Sequence, residues 1–219
     1  MTNLTKVPEY GWEDTSVTCA HAYLYNSIKK ALNFAIKEDA KINNNIKVKI
    51  FDAGCGNGYI AKKLYENGFH VAGCDASEQG VTHALMNIPN SSFKVLSVYD
   101  DMHTEFGNDW DVVISSEVIE HLYDPRTFIY QVSKLLKTNG VFIVTTPYHG
   151  WLKNVVLALT GKMDKHFTAL WDGGHIKFWS YKTLSKLLNE AEFKVIKFYG
   201  SGRLPYLWKS MVLVAIKTA

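Results

Sequence analysis

One segment narrows the possible folds of this chain more than any other: Lys49-Ile-Phe-Asp-Ala-Gly-Cys-Gly-Asn-Gly-Tyr-Ile-Ala-Lys-Lys-Leu64. Ile50 and Phe51 continue a short apolar run of the kind a fully buried parallel strand shows. Gly54, Gly56 and Gly58 then allow a tight turn whose bare backbone lets a ligand lie close. Ile60, Ala61 and Leu64 resume at helical spacing. Strand, glycine turn and helix in this order make a nucleotide-type binding unit.

The details argue against a dinucleotide. A pyrophosphate-binding loop spaces its glycines G-x-G-x-x-G, so that amide groups and a helix N-terminus face the phosphates. Here the third glycine comes one residue early, and Tyr59 takes its usual place. Asp52 also sets a negative charge where a pyrophosphate would lie. A ligand bearing positive charge fits better, and S-adenosylmethionine carries both an amino group and a sulfonium. Asp75 closes the next apolar segment (Val71-Ala-Gly-Cys-Asp75), 21 residues after Gly54 and just before Ala76. That is the distance at which an acidic residue meets ribose hydroxyls.

With these residues the chain resembles the class I S-adenosylmethionine-dependent methyltransferases, closest in motif pattern to the ubiquinone-pathway O-methyltransferase-like group. The matching segments are Phe51–Gly58, Val71–Asp75, Tyr99-Asp100, Asp111–His121 and Gly140–Pro147, in the family's order within about residues 47–217. The resemblance implies S-adenosylmethionine as cofactor. Asp52 should stand near its amino acid end, with Gly54 making the nearest backbone contact and Gly56 and Gly58 completing the loop. Asp75 and Ala76 belong to the ribose. Asp100 should accept from the adenine amino group, with Tyr99 or Met102 beside the base, while Asp101 reads as a solvated loop charge. Ser115 and Ser116 end the fourth strand, at the methionine end.

Elsewhere, residues 1–18 read as an irregular arm. Cys19 to about Lys37 carries apolar residues at helical spacing and reads as a helix covering the sheet, ended by Asn43-Asn-Asn45. Strands are expected near 47–52, 70–75, 93–98, 110–115, 140–146, 193–199 and 210–217. Asp124-Pro125 starts a helix, with Asp as cap and Pro at the first position, and Asn139-Gly140 ends it. Strands alternating with helices predict an α/β fold: a doubly wound, mostly parallel seven-stranded sheet with helices on both faces and an antiparallel last strand. The expected organisation is one domain over 1–219, with an N-terminal arm and helix (1–45) and a lid-like insertion at 148–175. In that insertion His149, Trp151, His166, Trp171 and His175, with Trp179 beyond it, are candidate walls of an acceptor pocket.

Composition excludes several classes. Net charge is only +3, and two of the 24 basic residues, Arg126 and Arg203, are arginine. Few arginines mean few bidentate phosphate clamps, which argues against nucleic acid as a partner and favours a small-molecule acceptor. Cys19, Cys55 and Cys74 suit a reduced, cytoplasmic compartment better than a disulfide framework, and Cys55 and Cys74 read as small buried fillers. The N-terminus lacks a signal-peptide layout, and no apolar run is long enough for a spanning helix. His21, His70, His83 and His103 read as ordinary surface or packed histidines.

The second informative cluster is Glu117-Val-Ile-Glu-His121. As a helical turn it would put Glu117, Glu120 and His121 on one face, just beyond the fourth strand. Two carboxylates and an imidazole make half a divalent-metal site, and His175 in Gly173-Gly-His-Ile-Lys-Phe-Trp-Ser180 offers a fourth ligand. The pairing is similar to that in ubiquinone-pathway O-methyltransferases and small-RNA 2′-O-methyltransferases. Mg²⁺ or a similar ion would lower the pKa of an acceptor hydroxyl. Without metal, His121 or His175 becomes the general base, with Glu120 beside it. The expected activity is methyl transfer to a small molecule, on a hydroxyl oxygen. A non-catalytic S-adenosylmethionine-binding module and an RNA 2′-O-methyltransferase are the alternatives.

Overall fold

A computed structural model describes residues 19–38 and 47–218, with the side chains of the first helix from Tyr23 to Lys37. The expected arm at 1–18, the Asn43-Asn-Asn45 break and the side chains of Cys19 and His21 lie outside the described residues. In chain order the elements are α1 (Cys19–Glu38), β1 (Lys49–Ala53), α2 (Tyr59–Glu66), β2 (His70–Asp75), α3 (Glu78–Asn87), β3 (Ser92–Val95), α4 (Met102–Phe106) and β4 (Trp110–Ser116). There follow α5 (Pro125–Leu135), β5 (Leu136–Pro147), α6 (Trp151–Leu159), α7 (Met163–Phe167), α8 (Tyr181–Glu190), β6 (Phe193–Ser201) and β7 (Ser210–Lys217). The seven strands form one sheet in the order β3-β2-β1-β4-β5-β7-β6. β1 pairs in parallel with β2 and β4, and β4 with β5, whereas β7 runs antiparallel between β5 and β6.

The strands are apolar on both faces because the sheet is covered on both. Successive residues of a strand point to opposite sides. Phe51, Val113, Phe142 and Leu213 therefore pack with Phe128, Val132 and Leu184 of α5 and α8. Their neighbours Ile50, Val112, Ile143 and Val214 pack with Leu24 and Ile28 of α1, Ile60 and Leu64 of α2, and Val81 of α3. Each Phe, Leu or Ile fully removed from water contributes about 1.5–3 kcal/mol relative to exposure. This double cover holds the carboxyl ends of β1, β2, β4 and β5 along one edge, where ligands of such sheets bind. No helix among the described residues is long and apolar enough to cross a membrane.

The expected helix start at Asp124-Pro125 is present: the Asp124 carboxylate accepts from the amides of Arg126 and Thr127, both at 3.1 Å. The expected stop at Asn139-Gly140 is not. α5 ends at Leu135, and Leu136 already pairs with Trp110, so Asn139 lies inside β5 with φ 61°. The register breaks between Trp110 and Val112, and the left-handed Asn139 lies in the bulge that takes up the extra residues of β5. A left-handed Asn serves a helix end and a strand bulge equally well, and pairing with β4 decides between them.

Candidate active site

The glycine turn is built from backbone bonds between β1 and β2. The amides of Gly54 and Cys55 both donate to the Cys74 carbonyl at 2.9 Å, and the Gly58 amide donates to Cys55 at 2.9 Å. Gly54, Gly56 and Gly58 have φ of 82°, 50° and 74°, in the left-handed region that costs other residues energy. Asp75 closes the turn from the side. Its carboxylate accepts from the amides of Gly56 (2.8 Å) and Ser77 (2.9 Å), which temper a pKa raised by burial. Asp52 is 1% exposed, with one oxygen lacking a hydrogen-bond partner, and burial together with the Asp75 charge pushes it up to about 8. An orphaned buried carboxylate costs free energy until a cation or donor arrives. The site therefore suits the amino group of a bound ligand. Cys55 and Cys74 are buried fillers whose thiols burial pushes up, as expected.

Beyond β3, Asp100 accepts from the Ser97 amide at 3.0 Å, and the Tyr99 hydroxyl accepts from the Asp124 amide at 3.3 Å, which ties this loop to α5. Asp101 is a surface charge paired with Lys134 at 2.7 Å, as the sequence suggests. Ser116 ends β4 beside Thr145, its hydroxyl 3.4 Å from that of Thr145.

The acidic-histidine segment departs from expectation. Glu117 has φ 56°, and only Ile119–His121 form a turn, of 3-10 type. The reversal at Glu117 sends its carboxylate back over β5 and β7, where Thr145 (2.8 Å) and Ser210 (3.0 Å) donate to it. Glu117, Glu120 and His121 thus do not share a helical face. Glu120, His121 and His175 do come together, with one ligand atom from each within 4.8 Å of the others. The Glu120 carbonyl brings His175 in, by accepting from the amides of Ile176 and Lys177 at 2.9 Å. Glu120 is fully buried and both carboxylate oxygens lack a hydrogen-bond partner of ordinary geometry. Burial, then the Glu117 charge, raises its pKa well above the carboxylate range. His121 Nδ1 lies 2.9 Å from the Gly173 carbonyl, which makes it the protonated nitrogen of a neutral ring and Nε2 the basic one. Burial lowers the pKa of His121 and takes His175 down to about 4.

The candidate wall residues divide. His149 sits among His166, Phe167 and Phe178, at ring-centroid distances of 5.2, 6.2 and 5.2 Å. Trp171 joins His121 and His175 at 5.7 and 5.5 Å. Trp179 donates to the Ile119 carbonyl at 3.4 Å and packs on the core. Trp151 is 77% exposed and joins neither group. Several polar residues here escaped sequence reasoning. Tyr23 of α1 lies 2.9 Å from the Ser210 hydroxyl, and burial pushes it up to about 12. Lys153 is buried and donates to the carbonyls of Tyr148 (2.7 Å) and Lys209 (3.3 Å). Thr145 and Thr146, at the end of a recognised strand, carried a local signal. Tyr23, Lys153 and Ser210 carried none, because their neighbours are distant in sequence.

A doubly wound sheet of this strand order, with a glycine turn flanked by the buried Asp52 and the part-buried Asp75, has the class I methyltransferase architecture. Comparison with known proteins agrees. A family model described as a methyltransferase domain matches residues 20–197. The chain is 29% identical over 199 residues to a ubiquinone biosynthesis O-methyltransferase of Ruegeria sp., covering 87% of this chain and 77% of that one. A protein of the same description from Pelagibacter ubique is 29% identical over 163 residues, covering 72% and 67%. Among solved structures, magnesium protoporphyrin IX methyltransferase from Synechocystis with bound S-adenosylhomocysteine superposes with a TM-score of 0.66 at 18% identity, covering 94% and 90% of the two chains. The chain belongs to the methyltransferase domain family and is an S-adenosylmethionine-dependent methyltransferase.

Proposed function

We propose that this enzyme methylates a hydroxyl oxygen of a small-molecule acceptor held between the acidic-histidine cluster and residues 148–179. The observation that carries the reading is the fully buried Glu120 carboxyl facing His175, with Nε2 3.9 Å from Oε1, and His121 completing the group. The names of the Ruegeria and Pelagibacter relatives, both O-methyltransferases, support oxygen as the accepting atom. The rings of His149, Phe167, Phe178 and Trp171 suit a flat acceptor.

Bound S-adenosylmethionine supplies an electrophilic methyl group on a positively charged sulfur. In this reading Asp52 takes its amino group, and the arriving cation restores the carboxylate that burial disfavours. Gly54, Gly56 and Gly58 line the amino acid and ribose, with Asp75 and Ala76 at the ribose hydroxyls. Tyr99 and Asp100 meet the adenine, and Ser116 the methionine end. On the acceptor side a neutral imidazole, His175 or His121, takes the hydroxyl proton, and Glu120 stabilises the resulting imidazolium.

The same three residues fit a divalent ion. One carboxylate and two imidazoles form a mixed O/N donor set, and the Nδ1 contact of His121 orients its ring as a second partner does in metal sites. Two imidazoles favour a transition metal over Mg²⁺. The ion would supply charge that lowers the pKa of the acceptor hydroxyl. Glu117, tied to Thr145 and Ser210, would stand behind the set rather than in it.

The test is S-adenosylhomocysteine titration followed by methyl transfer to hydroxylated aromatics, before and after exhaustive chelation. Product with a methyl ether, lost in Glu120→Gln and in His175→Ala, is the expected result. Full activity after chelation would assign the work to the imidazoles alone. Absence of S-adenosylhomocysteine binding would overturn the cofactor reading.

A further inference from the structure

A cleft of about 360 Å³ lies beside α6, lined by Lys153, Val156, Leu157, Arg203, Leu204 and Leu207. It opens at the carboxyl edge of β5, because Lys153 donates to the carbonyl of Tyr148, next after β5, and to that of Lys209, just before β7. Its volume suits one small organic molecule, for which pockets run from about 300 Å³ upward.

The charges in this cleft are unusual. Lys153 is 4% exposed, yet it donates to backbone carbonyls rather than to a carboxylate. The nearby carboxylate that acts on it, Glu117, already accepts from Thr145 and Ser210. A buried ammonium without a counterion is costly. Arg203, in the loop between β6 and β7, adds a second cation whose charge acts on Lys153, and it has no ion-pair partner among the described residues. By contrast Arg126, the other arginine, pairs with Glu190 at 2.8 Å. Arg203 also holds a left-handed φ of 61°, a conformation non-glycine residues keep where the surroundings impose it. Two facing cations repel each other until an anion sits between them. The rest of the wall is aliphatic, and Leu204 is 71% exposed.

The geometry points to an anion subsite: Lys153 and Arg203 hold a carboxylate on the methyl acceptor, and Val156, Leu157, Leu204 and Leu207 cover its apolar body. This rests on the reading of the neighbouring cluster as the acceptor site. The acceptor class is then a hydroxylated, apolar monocarboxylate rather than a neutral alcohol or phenol. No covalent step is involved, since the acidic group only positions the hydroxyl.

The test uses the full chain saturated with S-adenosylhomocysteine and isothermal titration with two probes of equal length, octanoate and 1-octanol. Octanoate should bind at least about tenfold more tightly, as charge-assisted contacts predict. Arg203→Gln and Lys153→Met should each erase that preference while leaving 1-octanol and S-adenosylhomocysteine affinities unchanged. The second arm compares methyl transfer to 3,4-dihydroxybenzoate and catechol. The benzoate should show the lower KM, and Arg203→Gln should raise it with kcat held. Equal binding of the two probes, no binding of octanoate, or an unchanged preference in Arg203→Gln overturns the subsite. If octanoate discriminates but neither ring is methylated, the anion site stands and the proposed acceptor fails. If the variants lose S-adenosylhomocysteine binding as well, the cations serve the fold and the proposal falls.

Discussion

Gly54→Ala tests the strongest geometric claim about the cofactor turn. Gly54 has φ 82°, and a Cβ there would lie 2.5 Å from Val118 Cγ2. The left-handed backbone costs a non-glycine residue about 1–2 kcal/mol. The overlap adds about 1–3 kcal/mol, the usual range for overpacking a close-packed site, because a β-branched Val118 has no alternative rotamer at low cost. The total is about 2–5 kcal/mol, or roughly one and a half to three and a half decades in an equilibrium constant. Val118 immediately precedes the 3-10 turn that carries Glu120 and His121, so the displacement should also weaken that cluster. The assay is a double-mutant cycle of Gly54→Ala and Val118→Ala, read by urea unfolding and by S-adenosylhomocysteine affinity. Removing the valine methyls should return the overlap part and leave the backbone part, a coupling of about 1–3 kcal/mol. A coupling near zero would refute the steric argument. A neutral Gly54→Ala would refute the backbone argument as well.

Other outcomes follow from single groups. Asp52 is raised from 3.8 to about 8 in the folded protein, so its contribution is fully present below pH 4 and is lost as pH climbs towards 8. Asp52→Asn should flatten that part of the stability-against-pH curve without cofactor and raise the apo Tm at pH 8, yet weaken S-adenosylhomocysteine binding; a steeper curve would contradict the assignment. Ser180 and Thr183 form a reciprocal cap on α8, and Ser180→Ala should cost about 0.5–2 kcal/mol in urea unfolding with cofactor affinity unchanged. Tyr23→Phe removes the bond to Ser210 and should cost about 1 kcal/mol, measured the same way, since Ser210 keeps Glu117 as its acceptor.

Much of the sheet was legible because its signals are local. Buried strands must be continuously apolar, and six of the seven expected strands start within a few residues of their observed positions. The exception, β5, begins at Leu136 because its first residues gain order from Trp110, which no local pattern reveals. The Glu117–His121 segment shows the same limit at the site. Helical spacing assigns Glu117, Glu120 and His121 to one face, but hydrogen bonds from Thr145 and Ser210 hold Glu117 in a left-handed conformation and turn it away.

The sequence by itself determined the layered α/β architecture, the glycine turn and the aspartates that flank it, since strand burial and left-handed turns demand particular residues at particular spacings. The tertiary structure decided which polar side chains meet. Tyr23 and Ser210 are 187 positions apart and bond at 2.9 Å, and His175 reaches Glu120 only through backbone bonds to its carbonyl. Encounters of that kind depend on how α1, β7 and the segment after α7 pack over one sheet edge. Packing is a property of the whole buried surface, which no local spacing encodes.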